Sequence, residues 1–147
     1  MTESAKPRLF LCFEPDVQVC AERMTDWLIT NSDFVAYGQR LDLACDASNA
    51  DAFRDRISSQ IHDADVLICL INSMYPNLWV LWELGVAREA GKGLVGILLK
   101  DYLDPPEIMR GCGAVFIPFK KDQLEQAILF AASGDRDLTE DYMLTEE

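Results

Sequence analysis

One acidic side chain interrupts the most apolar helical stretch of this sequence, and it is the residue best placed to do chemistry. Glu83 follows Trp82 directly and lies four residues after Trp79, in a run that is apolar nearly all round from residue 78 to residue 87. A carboxylate among such side chains is costly unless it is paired or faces a pocket, and its pKa is displaced from the ordinary value. Such a group is suited to supplying a negative charge to a reacting centre. Glu83 is therefore the first candidate catalytic residue.

A purely structural role for Glu83 remains open at this point. The acid falls in the second turn of the predicted helix, where it complements the positive end of the helix dipole. Acids are common in the early turns of helices for this reason alone. The position of the helix within the fold therefore has to decide between the two interpretations.

Other catalytic and metal-binding chemistries find little support in the sequence. His62 is the only histidine, and the five cysteines form no CxxC pair. A Cys/His metal site and a Ser-His-Asp triad are therefore not predicted. The histidine, near a predicted helix end, is interpreted as a partner of the helix dipole. Cys12, Cys69 and Cys20 fall in predicted strands and a predicted helix, and are interpreted as reduced, small core residues. No metal or cofactor is predicted.

Length and charge limit the class of protein. The 147 residues suit one domain, and the hydrophobic share of 50% indicates a globular chain. The net charge of −12, from 25 acids and 13 bases, argues against nucleic acid or anionic membranes as partners. No apolar run approaches the ~20 residues that span a bilayer, and the first residues lack the pattern of a signal peptide. A soluble, cytoplasmic protein is predicted.

Strands and helices are predicted to alternate along the chain. Asn77, after Pro76, is the predicted cap of the Glu83 helix, and Gly91 its predicted end. Residues 1–7 are predicted to be a leader, residues 8–133 the single domain, and residues 134–147 an acidic mobile tail. Apolar runs predict strands over residues 8–13, 33–37, 65–71, 93–99 and 114–119, and helical periodicity predicts further helices over residues 16–31, 51–62 and 122–132.

This alternation predicts a flavodoxin-like α/β fold, a three-layer αβα arrangement with a five-stranded parallel sheet of order 2-1-3-4-5. In that order the loops after strands 1 and 3 diverge to opposite faces and open a ligand crevice. Those loops are residues 14–16 and 72–77, and the second leads into the Glu83 helix. The topology therefore places Glu83 beside the crevice and favours a functional role. The connection over residues 38–50 is long, and loops of that length are often functional.

Three segments resemble the TIR (Toll/interleukin-1 receptor) fold, and most closely the bacterial TIR-like proteins of the Thoeris anti-phage type. They are RLFLCF with its acidic turn, ADVLICLI followed by Ser73, and WVLWEL on the third helix. That family has a Ser-containing turn, then a Trp, then a Glu four residues later, which Ser73, Trp79 and Glu83 match. The likeness covers roughly residues 8–132, and its specific part is residues 65–99.

The resemblance implies an enzyme that cleaves the nicotinamide–ribose bond of NAD, with NAD as substrate and not as cofactor. The matching glutamate is required for this cleavage, so Glu83 is the predicted catalytic residue, whether the enzyme is a hydrolase or a cyclase. The product would be an ADP-ribose-type signal in anti-phage defence. The family also implies self-association through TIR–TIR contacts and an upstream trigger or downstream effector protein. The substrate-binding residues it implies are Phe13, Asp16, Arg40, Asp46, Ser73, Tyr75 and Trp79.

Two other functions stay open. The segment WELGVAREAGKGLVGI also resembles nucleoside 2-deoxyribosyltransferases, whose nucleophilic glutamate opens a similar helix, although the turn at residues 73–76 lacks their Asp-Gly-rich form. The other is a non-enzymatic TIR interaction or adaptor module, in which Glu83 is structural and residues 38–50 form a docking surface. The chain departs from the TIR pattern at Val80, where Cys is common, and in residues 38–50, which lack the usual Gly- and Pro-rich form. No GxGxxG follows strand 1, so Arg40 or a neighbouring protomer would have to meet phosphates.

Overall fold

The computed structural model describes residues 7–29, 34–37, 51–73, 75–100, 103–133 and 136–143. The predicted connection over residues 38–50 lies outside these ranges, and so do the site candidates Arg40 and Asp46 and the first six residues of the predicted leader. Within the described ranges, strands and helices alternate as predicted. The strands are β1 (Arg8–Cys12), β2 (Phe34–Tyr37), β3 (Val66–Ile71), β4 (Gly93–Leu98), β5 (Val115–Pro118) and β6 (Tyr142–Met143), and the helices are α1 (Gln18–Ile29), α2 (Asp51–Asp63), α3 (Leu78–Glu89) and α4 (Lys121–Ala132).

The strands form one parallel sheet in the order β2-β1-β3-β4-β5-β6. The first five follow the predicted order 2-1-3-4-5, which confirms the flavodoxin-like class. All six residues of β3 are buried, as expected for a central strand covered on both faces. Because β1 and β3 are neighbours while β2 lies outside β1, the strand order reverses between them, and this is where such folds bind ligands.

The sixth strand corrects the prediction of a mobile tail for its described residues. Tyr142 and Met143 pair with Val115 and Phe116 of β5. The Tyr142 ring also packs edge-on against Phe130 of α4, with the ring centroids 4.9 Å apart. The prediction relied on the acidic composition of residues 134–147 and gave too little weight to one aromatic side chain that an edge of the sheet can bury.

Two hydrophobic layers cover the two faces of the sheet. Helices α2 and α3 pack on one face, against alternate strand residues such as Cys12, Leu67 and Cys69. Helices α1 and α4 pack on the other face, against residues such as Leu11 and Ile68. The helices that follow β1 and β3 therefore leave the sheet on opposite sides, which places the crevice between these strands. No helix of the described residues is long and apolar enough to cross a membrane.

The predicted ends of the Glu83 helix are confirmed. The side-chain oxygen of Asn77 accepts a hydrogen bond from the backbone N–H of Val80 at 3.0 Å, which is the usual N-cap contact. The helix ends before Gly91, whose φ of 73° is the left-handed conformation that terminates helices. Lys92 then donates its backbone N–H to Ala87 O at 3.0 Å. Local sequence signals thus determine where α3 begins and ends, and therefore the turn of the helix on which Glu83 lies.

A tight contact between β4 and α4 gives a first prediction. A Cβ atom at Gly93 would lie 2.3 Å from the carbonyl oxygen of Ala131, which is backbone and cannot turn aside. Gly93→Ala should therefore lower the free energy of unfolding by about 3 kcal/mol or more. Gly85→Ala, inside α3, is the matched control, because the added Cβ would lie 3.8 Å from the Ile108 side chain, which is an ordinary contact distance. The free energy of unfolding of that variant should rise by roughly 0.5–1 kcal/mol. Urea denaturation of both variants checks the prediction, and equal stabilities would contradict it.

Candidate active site

The loops that follow β1 and β3 meet at the carboxyl edge of the sheet and are joined by two polar links. The side-chain amide of Asn72 donates to the Asp16 carboxylate, at 3.1 Å and 3.3 Å from its two oxygens. The backbone N–H of Asn77 donates to Glu14 Oε2 at 2.6 Å. The predicted crevice is therefore bounded by two acids from the first loop and two asparagines from the second.

Glu83 lies beneath this edge, on the face of the sheet that α3 covers. Its side chain is 0% exposed, and within the part of the chain that the structure describes neither carboxylate oxygen has a well-formed hydrogen bond. The sequence argument expected such an acid to be paired or to face a pocket, and among the described residues no well-formed hydrogen bond pairs it. An unpartnered buried carboxyl group lowers the stability of a fold. The helix-dipole role alone does not account for a side chain buried this deeply.

Burial raises the pKa of Glu83 to about 8, because the ionised form loses its hydration. The thiol of Cys12 opposes this shift, although it makes no well-formed hydrogen bond to either carboxylate oxygen. Most of the Glu83 side chains are consequently neutral at pH 7 in the unliganded protein. A bound group that carries positive charge, or that donates hydrogen bonds, would favour the ionised form.

Cys12 on the sheet interacts with this carboxyl group, and Cys69 lies beside Cys12 on the next strand. They are register partners on β1 and β3, and each is 1% exposed. The pKa of Cys12 is raised well above its ordinary value by burial, by the Cys69 thiol and by the charge of Glu83. Both residues are core packing, as predicted, and the raised pKa keeps Cys12 from acting as a thiolate nucleophile.

The burial of these two cysteines predicts their reactivity. Cys12 and Cys69 should stay unlabelled by iodoacetamide under native conditions, while the half-buried Cys20 of α1 should react measurably faster. Peptide mass spectrometry after a short pulse of reagent measures all three sites in one sample. Labelling of Cys69 as fast as Cys20 would contradict the buried position of β3.

The two aromatic residues of the predicted site, Trp79 and Tyr75, lie in different surroundings. Trp79 is 5% exposed and packs edge-on between Phe53 and Trp82, with ring centroids 5.3 Å and 5.8 Å away. In this structure it is a core residue that helps to join α2 to α3. Tyr75 is 83% exposed and extends into solvent.

The remaining described candidates lie around the crevice but not together. Phe13 is buried on the face covered by α1 and α4, opposite to Glu83. Ser73 is half-buried, and its hydroxyl oxygen accepts the backbone N–H of Tyr75 at 3.0 Å, which shapes the turn. Asp16 is exposed and paired with Asn72. The structure thus places Asp16 and Ser73 on the loops that bound the crevice and separates Phe13 from them.

Two residues at this edge were not singled out from the sequence as site residues. Glu14 and Asn72 are the first residues of the two loops, 14–16 and 72–77, that the sequence predicts to open the crevice. The signal that identifies both is position, because each follows a strand whose carboxyl end borders the crevice. When this topology is predicted from a sequence, the polar residues directly after β1 and β3 are therefore candidate site residues.

Two clefts among the described residues lie away from this site. A cleft of about 370 Å³ lies at the opposite, amino edge of the sheet, where Pro7, Asp65 and Gly93 line it. A smaller cleft of about 210 Å³ is lined by residues such as Arg88 and Cys112. Glu83 lines neither cleft. Within the described ranges no group of three His, Cys, Asp or Glu side chains is arranged to hold a metal ion.

The fold defines this chain as a flavodoxin-like α/β protein with an acidic residue buried at the switch point of its sheet. No protein-family model matches the chain, and no curated protein matches it. Among solved structures it is similar to the CMP N-glycosidase of Clostridium botulinum, with a TM-score of 0.51 and 9% identity. The match covers 93% of this chain and 88% of that one. At this identity the two share a fold, and the TIR resemblance is left without a matching family model.

Proposed function

We propose that this protein cleaves the N-glycosidic bond between a base and a ribose, with Glu83 as its catalytic carboxylate. The observation that carries the proposal is the position of Glu83, which is fully buried, forms no well-formed hydrogen bond to the described residues, and interacts with Cys12 at the end of β1, beside the crevice. A group that costs stability and has no structural partner is typical of a functional site. Similarity of fold to an N-glycosidase supports this chemistry over others.

The chemistry requires a negative charge at this place. When the bond from C1′ to the base nitrogen breaks, its electron pair leaves with the base and positive charge develops on the ribose ring. A carboxylate held close to C1′ stabilises that charge, and it does so more strongly in a site from which water is excluded. Water or another acceptor then adds to C1′. Glu83 acts in its ionised form in this reaction, whether or not it forms a transient covalent bond to C1′.

Substrate reaches Glu83 only when the crevice opens, because the side chain is not exposed in the unliganded protein. The side-chain link between Asp16 and Asn72 joins the two loops at the surface. A hydrogen bond to a charged group contributes roughly 1.5–3 kcal/mol, so binding energy from a ribose is sufficient to break it. We therefore place the opening at this link and the reacting bond beneath it.

NAD is the first candidate substrate because of the TIR resemblance, in which Ser73, Trp79 and Glu83 fit the family pattern. A cytidine nucleotide is the second, because the similar fold belongs to a CMP N-glycosidase. Chromatographic detection of free base from NAD, nicotinamide riboside, CMP, cytidine and deoxynucleosides tests the proposal. Base release from at least one compound is expected. A folded protein that releases no base from any of them at high concentration would contradict the proposed function.

The raised pKa of Glu83 predicts a pH dependence of the reaction. Because the ionised form is active and the free protein holds the pKa at about 8, kcat/KM should increase about ten-fold per pH unit from pH 6 to pH 7.5. It should level off above pH 8. Initial rates with a nicotinamide substrate measure this most simply, because its base leaves without needing a proton. A profile that is flat from pH 6 to pH 9 would show that Glu83 does not titrate in the reaction.

A further inference from the structure

The N-terminus of α3 is occupied by groups of the chain itself. Helix N-termini commonly bind phosphate, because their free N–H groups and the helix dipole both attract an anion. Here the N–H of Asn77 donates to the carboxylate of Glu14 at 2.6 Å, and the N–H of Val80 donates to the Asn77 side chain at 3.0 Å. A carboxylate from the loop after β1 thus stands where a substrate phosphate would otherwise bind.

The position of Glu83 on the same helix relates this end of α3 to the reacting bond. Glu83 lies six positions after Asn77, which corresponds to an axial rise of about 9 Å. Helical side chains lean toward the N-terminus, so the Glu83 carboxyl group lies closer to that end than its Cα does. A ribose with C1′ at Glu83 therefore directs one of its ends toward the first turn of α3. With the base directed away from α3, the end that faces this turn is the 5′ substituent.

The charges at this edge of the sheet also disfavour a bound phosphate. Glu14 and Asp16 both belong to the loop after β1, and both contact the loop after β3. Glu83 adds a third carboxyl group, buried and unpartnered. Lys100 follows β4 at the same edge, one strand beyond β3, and already has an interaction of its own. A second anion beside Glu14 would be repelled by it.

We infer that Glu14 is a specificity-determining residue that disfavours a 5′-phosphate, so that the preferred substrates are nucleosides with a neutral or cationic base and not the corresponding nucleotides. The inference rests on the proposed function and deepens it. Two negative charges roughly 6 Å apart at a protein surface repel enough to reduce binding about ten-fold. Nicotinamide riboside should therefore be a better substrate than the mononucleotide or NAD, and cytidine better than CMP.

The kinetic test compares each nucleoside with its nucleotide. In the natural protein kcat/KM should favour the nucleoside at least ten-fold. Glu14→Gln keeps an acceptor for the Asn77 N–H but removes the charge, and it should narrow this ratio about ten-fold by improving the nucleotide. Glu125→Gln, the same change at an exposed position of α4, should leave the ratio unaltered. A natural protein that prefers the nucleotide, or a Glu14→Gln variant with an unchanged ratio, would overturn the inference while leaving the proposed function intact.

A binding test decides the inference even if no substrate is cleaved. Calorimetric titration with ribose 5-phosphate should give a Kd at least ten-fold lower for Glu14→Gln than for the natural protein. The Glu125→Gln protein should behave as the natural one. Equal affinities, or no binding to either protein, would overturn the inference, because neutralising Glu14 would then create no phosphate site. Tight binding to the natural protein that Lys100→Met abolishes would overturn it too, since the phosphate would then have a place of its own. Absence of base release from all substrates would instead contradict the proposed function.

Discussion

Glu83→Gln should lower the rate of base release by about 10²–10³-fold, the usual effect of losing one electrostatic contact to a transition state. Glutamine has the same size and keeps the polar end of the side chain, so the variant removes the charge and little else. The loss should appear in kcat as well as in kcat/KM, because the contact is made only as positive charge develops on the ribose. Initial rates at pH 8, where about half of the natural Glu83 is ionised, give the comparison.

Glu89→Gln is the matched control for this variant. It makes the same change on the same helix, but at an exposed position near the end of α3. Its rate should stay within a factor of two or so of the natural protein, as surface substitutions rarely alter a distant site. A Glu83→Gln protein that folds and retains the natural rate would remove Glu83 from the mechanism.

The second large effect is a loss of stability with rising pH. The folded protein holds the pKa of Glu83 at about 8, above its ordinary value of 4.5, so between these values the folded state binds the proton more tightly than the unfolded state does. Stability contributed by the protonated group is therefore complete below about pH 4.5 and declines as the pH rises through 8. A pKa difference of this size corresponds to a decline on the order of 5 kcal/mol.

Glu83→Gln isolates this contribution, since the amide does not titrate. The difference in unfolding free energy between the variant and the natural protein should grow by several kcal/mol from pH 5 to pH 9, in favour of the variant. Urea denaturation at four or five pH values measures it, and Glu89→Gln again serves as the control. A variant less stable than the natural protein at pH 9 would mean that Glu83 is a structural residue, as the helix-dipole interpretation holds.

Much of the fold follows from local patterns that the tertiary structure does not override. The continuous apolar runs of β3 and β4 predict buried parallel strands, and both are central in the sheet. Asn77 and Gly91 define α3 because capping depends on a few neighbouring residues. The sixth strand was missed because two residues are too short to show a period, and their pairing depends on a contact with α4.

The meeting of the two loops that bound the candidate site was predictable, and the surroundings of its side chains were less so. Topology alone places the loops after β1 and β3 together, and hydrogen bonds between them are observed. The direction of a side chain does not follow from topology, because an aromatic residue is equally suited to contact a ligand or to pack in the core. Trp79 lies in the core and Tyr75 in solvent. The depth of Glu83 and its lack of a partner depend on how α2, α3 and the sheet pack, which no local pattern shows.

The measurement that tests the central claim most directly is chemical rescue of a Glu83→Ala protein. Alanine removes the carboxyl group and leaves a small cavity in its place, so a formate ion can supply the missing negative charge. Base release by this variant should be at least 10²-fold below the natural rate and should rise with formate concentration. Formate should not restore the Glu83→Gln protein, whose amide fills the space. An alanine variant that folds and releases base at the natural rate without formate would contradict the assignment of Glu83 as the catalytic carboxylate.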